Sequence, residues 1–103
     1  MTYRPVGIEE ITAKALPVIQ KYNISKAAVF GSCARGDMCH GSDIDLLVDT
    51  SGLSGGLVFV EIKRKLEYAL GRKVDLISYS SLNYSHLKSS ILSEAKVIYE
   101  KRQ

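Results

Sequence analysis

Two aspartates one residue apart, Asp43 and Asp45, stand where an apolar run begins, Ile44-Asp45-Leu46-Leu47-Val48. A run this short and aliphatic is a strand rather than a helix. Residues two apart on a strand share a face, so the two carboxylates emerge side by side, about 7 Å apart along the chain. Like charges held that close repel, and neither belongs in an apolar interior. The fold must leave the mouth of this strand open to water. A divalent cation reverses the repulsion, because hard oxygen donors are what Mg²⁺ binds. Asp49 lies on the same face but about 13 Å further along, and it reads as a strand-end acid.

Around this strand the chain alternates between the two periodicities. Ile8 to about Tyr22 reads as a helix with Ile8, Ile11, Ala15, Ile19 and Tyr22 on one face. Pro17 removes a donor and crowds the preceding turn, so a kink or an early end is expected there. Lys26-Ala27-Ala28-Val29-Phe30 is a short apolar run closed by Gly31-Ser32 and reads as a buried strand, after which Ser32 caps a short helix to about Arg35. Asp37 to Ser42 reads as loop, and Thr50 to Gly56 as a flexible connection. A helix is expected from about Leu57 to Leu70, with Phe59, Ile62, Leu66, Ala69 and Leu70 inward and Gly71 as its left-handed cap. Val74-Asp75-Leu76-Ile77 is a third strand. Ser85 to Ala95 reads as a last helix with Leu87, Ile91, Leu92 and Ala95 as its stripe, followed by a short strand Lys96 to Tyr99. Strands alternating with helices place the chain in the α/β or α+β class, a small mixed sheet packed with helices. Its 103 residues suit a single domain over 1–103.

Composition closes off several classes of function. No apolar run approaches the ~18 residues of a membrane span, and Met1 to Pro5 begins no signal peptide. A cytoplasmic protein that does not engage the membrane is expected. Cys33 and Cys39 are too few for a disulfide framework. With His40 they lack the fourth ligand and the pair spacing of a zinc site. The net charge is +3, and the densest basic positions are Lys63, Arg64, Lys65, Arg72 and Lys73. These read as a solvated helix face and its C-terminal turn. Without interleaved aromatic and basic residues, nucleic acid is not the expected partner.

Asp75 sits between Val74 and Leu76, and a carboxylate inside such a run is costly unless something pairs with it. Gly31 after a buried strand permits a tight turn and a close backbone approach to a ligand. The amides that follow, with the Ser32 hydroxyl, suit phosphate. Two better-known phosphate motifs are absent. Gly31 and Gly36 have P-loop spacing, but Asp37 stands where its lysine belongs. No Gly-x-Gly-x-x-Gly follows a strand.

Gly31-Ser32, ten intervening residues and Asp43-Ile44-Asp45, followed by GRKVDLIS around Asp75, resemble the DNA polymerase β-like nucleotidyltransferase superfamily. Within it the chain looks like the minimal nucleotidyltransferases, the antitoxin half of HEPN–MNT toxin–antitoxin pairs. The resemblance implies the nucleotidyltransferase fold, with Asp43 and Asp45 binding two Mg²⁺ ions against ATP. It implies that Asp75 completes the catalytic ion's site and helps to activate the acceptor hydroxyl. Gly31 and Ser32 would hold the β- and γ-phosphates, with Arg35 and Ser42 as further triphosphate contacts. AMP would pass from ATP to a hydroxyl, and the family's acceptor is a tyrosine of a HEPN toxin partner, which implies a hetero-oligomer. Two alternatives stay open: an antitoxin that binds nucleotide and neutralises by contact, and a transferase for a small acceptor, for which 103 residues would call for self-assembly.

Overall fold

The computed structural model describes residues 7–31, 43–50 and 56–101. In chain order these form helix α1 (Ile8–Lys21), strands β1 (Lys26–Phe30) and β2 (Ile44–Asp49), helix α2 (Gly56–Leu70) and strand β3 (Val74–Ser78). A 3₁₀ helix (Tyr79–Tyr84), helix α3 (Lys88–Glu94) and strand β4 (Lys96–Glu100) follow. The short helix expected after Ser32 and the loop from Asp37 to Ser42 lie outside the described residues.

The four strands form one mixed sheet in the order β3-β2-β1-β4. β1 is antiparallel to both β2 and β4, whereas β2 and β3 run parallel. A parallel pair needs a crossover between its strands, and α2 lies on it. Alternation divides the sheet into two faces. One carries Ala27, Val29, Ile44, Leu46, Val48, Val74 and Leu76, buried with Ile11, Ala15 and Ile19 of α1 and Ile62, Leu66 and Leu70 of α2. The other carries Ala28, Phe30 and Leu47, covered by Leu82 of the 3₁₀ helix and by Ile91 and Ala95 around α3.

α1 does not end at Pro17. The helix runs on to Lys21, with the proline ring exposed to solvent. Burying Ile11, Ala15 and Ile19 on one continuous stripe outweighs a single missing donor. Its C-terminus closes with Asn23 in the left-handed region, φ 55°. The Ile24 amide donates to the Ile19 carbonyl at 3.0 Å and the Asn23 amide to Gln20 at 3.2 Å. These are the paired bonds that satisfy orphan helix carbonyls, and Ile19 and Ile24 are both buried over them. Gly71 ends α2 as expected, with φ 68° and its amide bonded to the Glu67 carbonyl at 2.8 Å.

The last helix starts three residues later than its apolar periodicity suggests. The Ser85 hydroxyl accepts from the Leu87 amide at 3.0 Å, and this local turn competes with helix. Leu87 and Leu92 are consequently exposed, and only Ile91 and Ala95 of the expected stripe reach the core. The 3₁₀ helix ahead of it has a capping signal, since the Ser78 hydroxyl accepts from the Ser81 amide at 3.3 Å. It carries Leu82 across the second face.

Candidate active site

The candidate residues of β1, β2 and β3 lie at one end of the sheet. Because Ile44, Leu46 and Val48 are drawn into the larger core, Asp45 and Leu47 face the other way. Val74 and Leu76 orient β3 in the same sense, which sends Asp75 to the face shared with Asp45. The parallel register then sets Asp45 directly opposite Asp75, and the antiparallel register on its other side sets Phe30 opposite Asp45. Neighbouring strands lie about 4.8 Å apart, so Asp45 and Asp75 stand side by side. Asp43 immediately precedes β2, is exposed, and falls on the same alternation as Asp45.

Gly31 follows Phe30 and touches this row. Its φ is +75°, a conformation that side-chain-bearing residues rarely adopt. A β-carbon there would lie 2.3 Å from the Asp45 Oδ2 atom. The carboxylate of Asp45 therefore occupies the space that the absent side chain leaves.

Asp75 corrects one sequence expectation. It is exposed, because β3 is an edge strand and Asp75 lies near its first residue. No buried charge has to be offset there. The start of β3 is tied down from the outside, where the Glu67 carboxylate accepts the Val74 amide at 3.0 Å. That bond covers an exposed edge donor and locks the residue next to Asp75 to the end of α2.

As oxygen donors, carboxylates at one sheet end are of the kind that a hard divalent cation takes. Among the described residues, no three carboxylate, imidazole or thiol groups stand close enough to enclose an ion as placed. Ser32, Arg35 and Ser42 lie outside the described residues, as do Cys33, Cys39 and His40.

Asp49 belongs to the opposite end of β2, paired in register with Lys26. There the Lys26 ammonium lies 5.3 Å from the centre of the Tyr79 ring and 3.8 Å from Glu100 Oε2. Burial, then the charges of Glu100 and Asp49, push the Tyr79 phenol above its ordinary value. This polar group closes the far end of the sheet and is remote from the row of aspartates. Lys73 lies in the basic turn after α2, and its carbonyl accepts the Ile44 amide at 3.0 Å, the first bond of the β2–β3 ladder.

The sequence profile described as polymerase beta, nucleotidyltransferase matches residues 13–103. The chain belongs to the polymerase β nucleotidyltransferase family. This nucleotidyltransferase is 39% identical over 90 residues to a candidate protein adenylyltransferase of Methanocaldococcus jannaschii, covering 87% of this chain and 96% of that one. It is 36% identical over 89 residues to the protein adenylyltransferase MntA of Thermococcus cleftensis, covering 86% and 87%. Its fold is shared with a complex of a tri-AMPylated Shewanella oneidensis HEPN toxin and an MNT antitoxin, at a TM-score of 0.67 and 20% identity. That match spans 90% of this chain and 72% of the other. Among the described residues, no helix of this nucleotidyltransferase is long and apolar enough to cross a membrane.

Proposed function

We propose that this nucleotidyltransferase is a magnesium-dependent protein adenylyltransferase that moves AMP from ATP to a tyrosine hydroxyl of a HEPN toxin, and so acts as the toxin's antitoxin. The observation that carries this reading is the alignment of Asp45 with Asp75 on adjacent strands beside the Gly31 turn. The adenylyltransferase names of relatives with more than a third of their residues in common supply the nucleotide. The AMPylated toxin in the Shewanella complex supplies the kind of acceptor.

In this reading Asp43, Asp45 and Asp75 are the residues that would hold two magnesium ions. Bound magnesium would neutralise the triphosphate and the charge that develops on the leaving pyrophosphate. Gly31 and Ser32 hold the terminal phosphates, with Arg35 and Ser42 as further contacts. Asp75, exposed on the edge strand, faces the side open to a large acceptor and orients its hydroxyl for in-line attack on the α-phosphorus. The acceptor's proton passes to the Asp75 carboxylate as the new phosphate ester forms and pyrophosphate departs. The protein works in the cytoplasm in this proposal, bound to its partner.

The test is to incubate the protein with ATP, Mg²⁺ and a HEPN-domain protein encoded beside it, and to weigh that partner by mass spectrometry. An AMP-sized increment that disappears with Asp43→Asn and Asp45→Asn is expected. No increment, with toxin neutralisation intact in both variants, would overturn the enzyme and leave an antitoxin acting by contact.

A further inference from the structure

The basic residue nearest the aspartates along the chain is Lys73, and the sheet gives it a place that its position after α2 does not reveal. The Ile44 amide donates to the Lys73 carbonyl, and Ile44 pairs with Val74. Lys73 therefore immediately precedes β3, one position back from the Ile44–Val74 pair and two back from the Asp45–Asp75 pair, level with Asp43. Strand alternation places Lys73 on the face of Asp75, two residues further toward the open end. It is exposed, and among the described residues its ammonium is engaged in no ion pair.

The strand order also gives the site a direction. Gly31 follows β1, Asp43 and Asp45 lie at the start of β2, and Lys73 and Asp75 at the start of β3, so the groups follow one another across β1, β2 and β3. Those strands span about 10 Å at the usual spacing. A triphosphate whose β- and γ-phosphates rest on the Gly31 turn runs across β2 and brings its α-phosphate toward β3. At that end it meets Asp43, Asp45 and Asp75. The magnesium proposed for these carboxylates would offset their repulsion of a phosphate, and a lysine beside them adds a compact charge on a flexible stem suited to a single phosphate oxygen.

We propose that Lys73 is a substrate-contacting residue that binds the α-phosphate, the group being transferred, from the edge-strand side. The assignment rests on the triphosphate site proposed for these aspartates. No metal is needed to define the lysine's place in the ladder.

The experiment is calorimetric titration of the whole protein with ATP, AMP and pyrophosphate, each with Mg²⁺ and with no acceptor present. Lys73→Gln should weaken ATP and AMP by about tenfold, the scale of one lost charge-assisted contact. Pyrophosphate binding should be unchanged. Lys73→Arg should recover most of the loss, while Lys63→Gln, which removes the same charge from the exposed face of α2, should have no effect. Because Lys73 is exposed, its melting temperature should match the wild type's, which separates lost contact from lost fold. Unchanged ATP and AMP affinity in Lys73→Gln would overturn the assignment. Pyrophosphate weakened as much as ATP would place the lysine at the wrong end and also overturn it. If the wild-type protein binds neither ATP nor pyrophosphate, the triphosphate site itself fails, a result that does not depend on Lys73.

Discussion

Gly31→Ala offers the most direct probe of the site, because the added atom has only one place to go. Its β-carbon would sit 2.3 Å from Asp45 Oδ2 and 3.2 Å from Cγ. Contacts below 3.0 Å are essentially never seen, so the carboxylate must retreat by about 0.7 Å or the turn must open. Alanine at φ +75° adds about 1–2 kcal/mol of backbone strain. The protein should lose about 1–3 kcal/mol of stability, readable by urea denaturation. It should still fold, since neither buried cluster includes Gly31. Activity should fall further than stability. A displacement approaching 1 Å in a catalytic group can cost about a hundredfold in rate, so adenylyl transfer followed by partner mass should drop by about that factor in protein shown to be folded. Transfer within about threefold of wild type at unchanged stability would refute the idea that the missing side chain at 31 sets the Asp45 carboxylate, by the measure of that geometric penalty.

Three further perturbations follow from individual contacts. Glu67→Ala removes the acceptor of the Val74 amide; it should cost about 1–2 kcal/mol in denaturant and lower transfer by loosening the start of β3 beside Asp75. Leu82→Ala empties a position that is only 2% exposed beneath the 3₁₀ helix. A loss of about 2–5 kcal/mol is expected, and hydrogen exchange should show faster opening of residues 79–84 than of α1. Tyr22 donates to the Glu61 carboxylate, and that hydrogen bond, then desolvation and the nearby charge, raise the phenol above 10.0. A raised phenol favours the folded state while it is protonated. The contribution is whole below about pH 10 and is lost as pH rises through the folded value. Tyr22→Phe should therefore flatten the decline in melting temperature as pH rises past about 10, and an unchanged slope would argue that the bond does not persist in solution.

Much of the fold was legible along the chain. Each described strand and the first two helices lie within a residue or two of where periodicity and punctuation put them, with Gly71 where a left-handed cap belongs. The failures have local physical causes. At Pro17 the early end does not occur, because a continuous buried stripe carries α1 on to Lys21. At Ser85 a side-chain turn overrode an apolar periodicity, so Leu87 and Leu92 face solvent instead of the core. Asn23 ends α1 without the glycine that would have announced it.

The aspartates divide along the same line. That Asp43 and Asp45 share one face follows from the sequence by itself, since alternation in a strand is a property of the backbone and needs no partner. That Asp75 stands beside Asp45, and Lys73 level with Asp43, was decided only by tertiary structure. Residues 50–73, crossover helix included, separate the two strands, and nothing in either segment states which neighbour or register it will take. The choice is made when Ile44, Leu46 and Val48 and then Val74 and Leu76 are buried together under α1 and α2. That shared burial sets the parallel ladder, and the ladder sets Asp75 opposite Asp45.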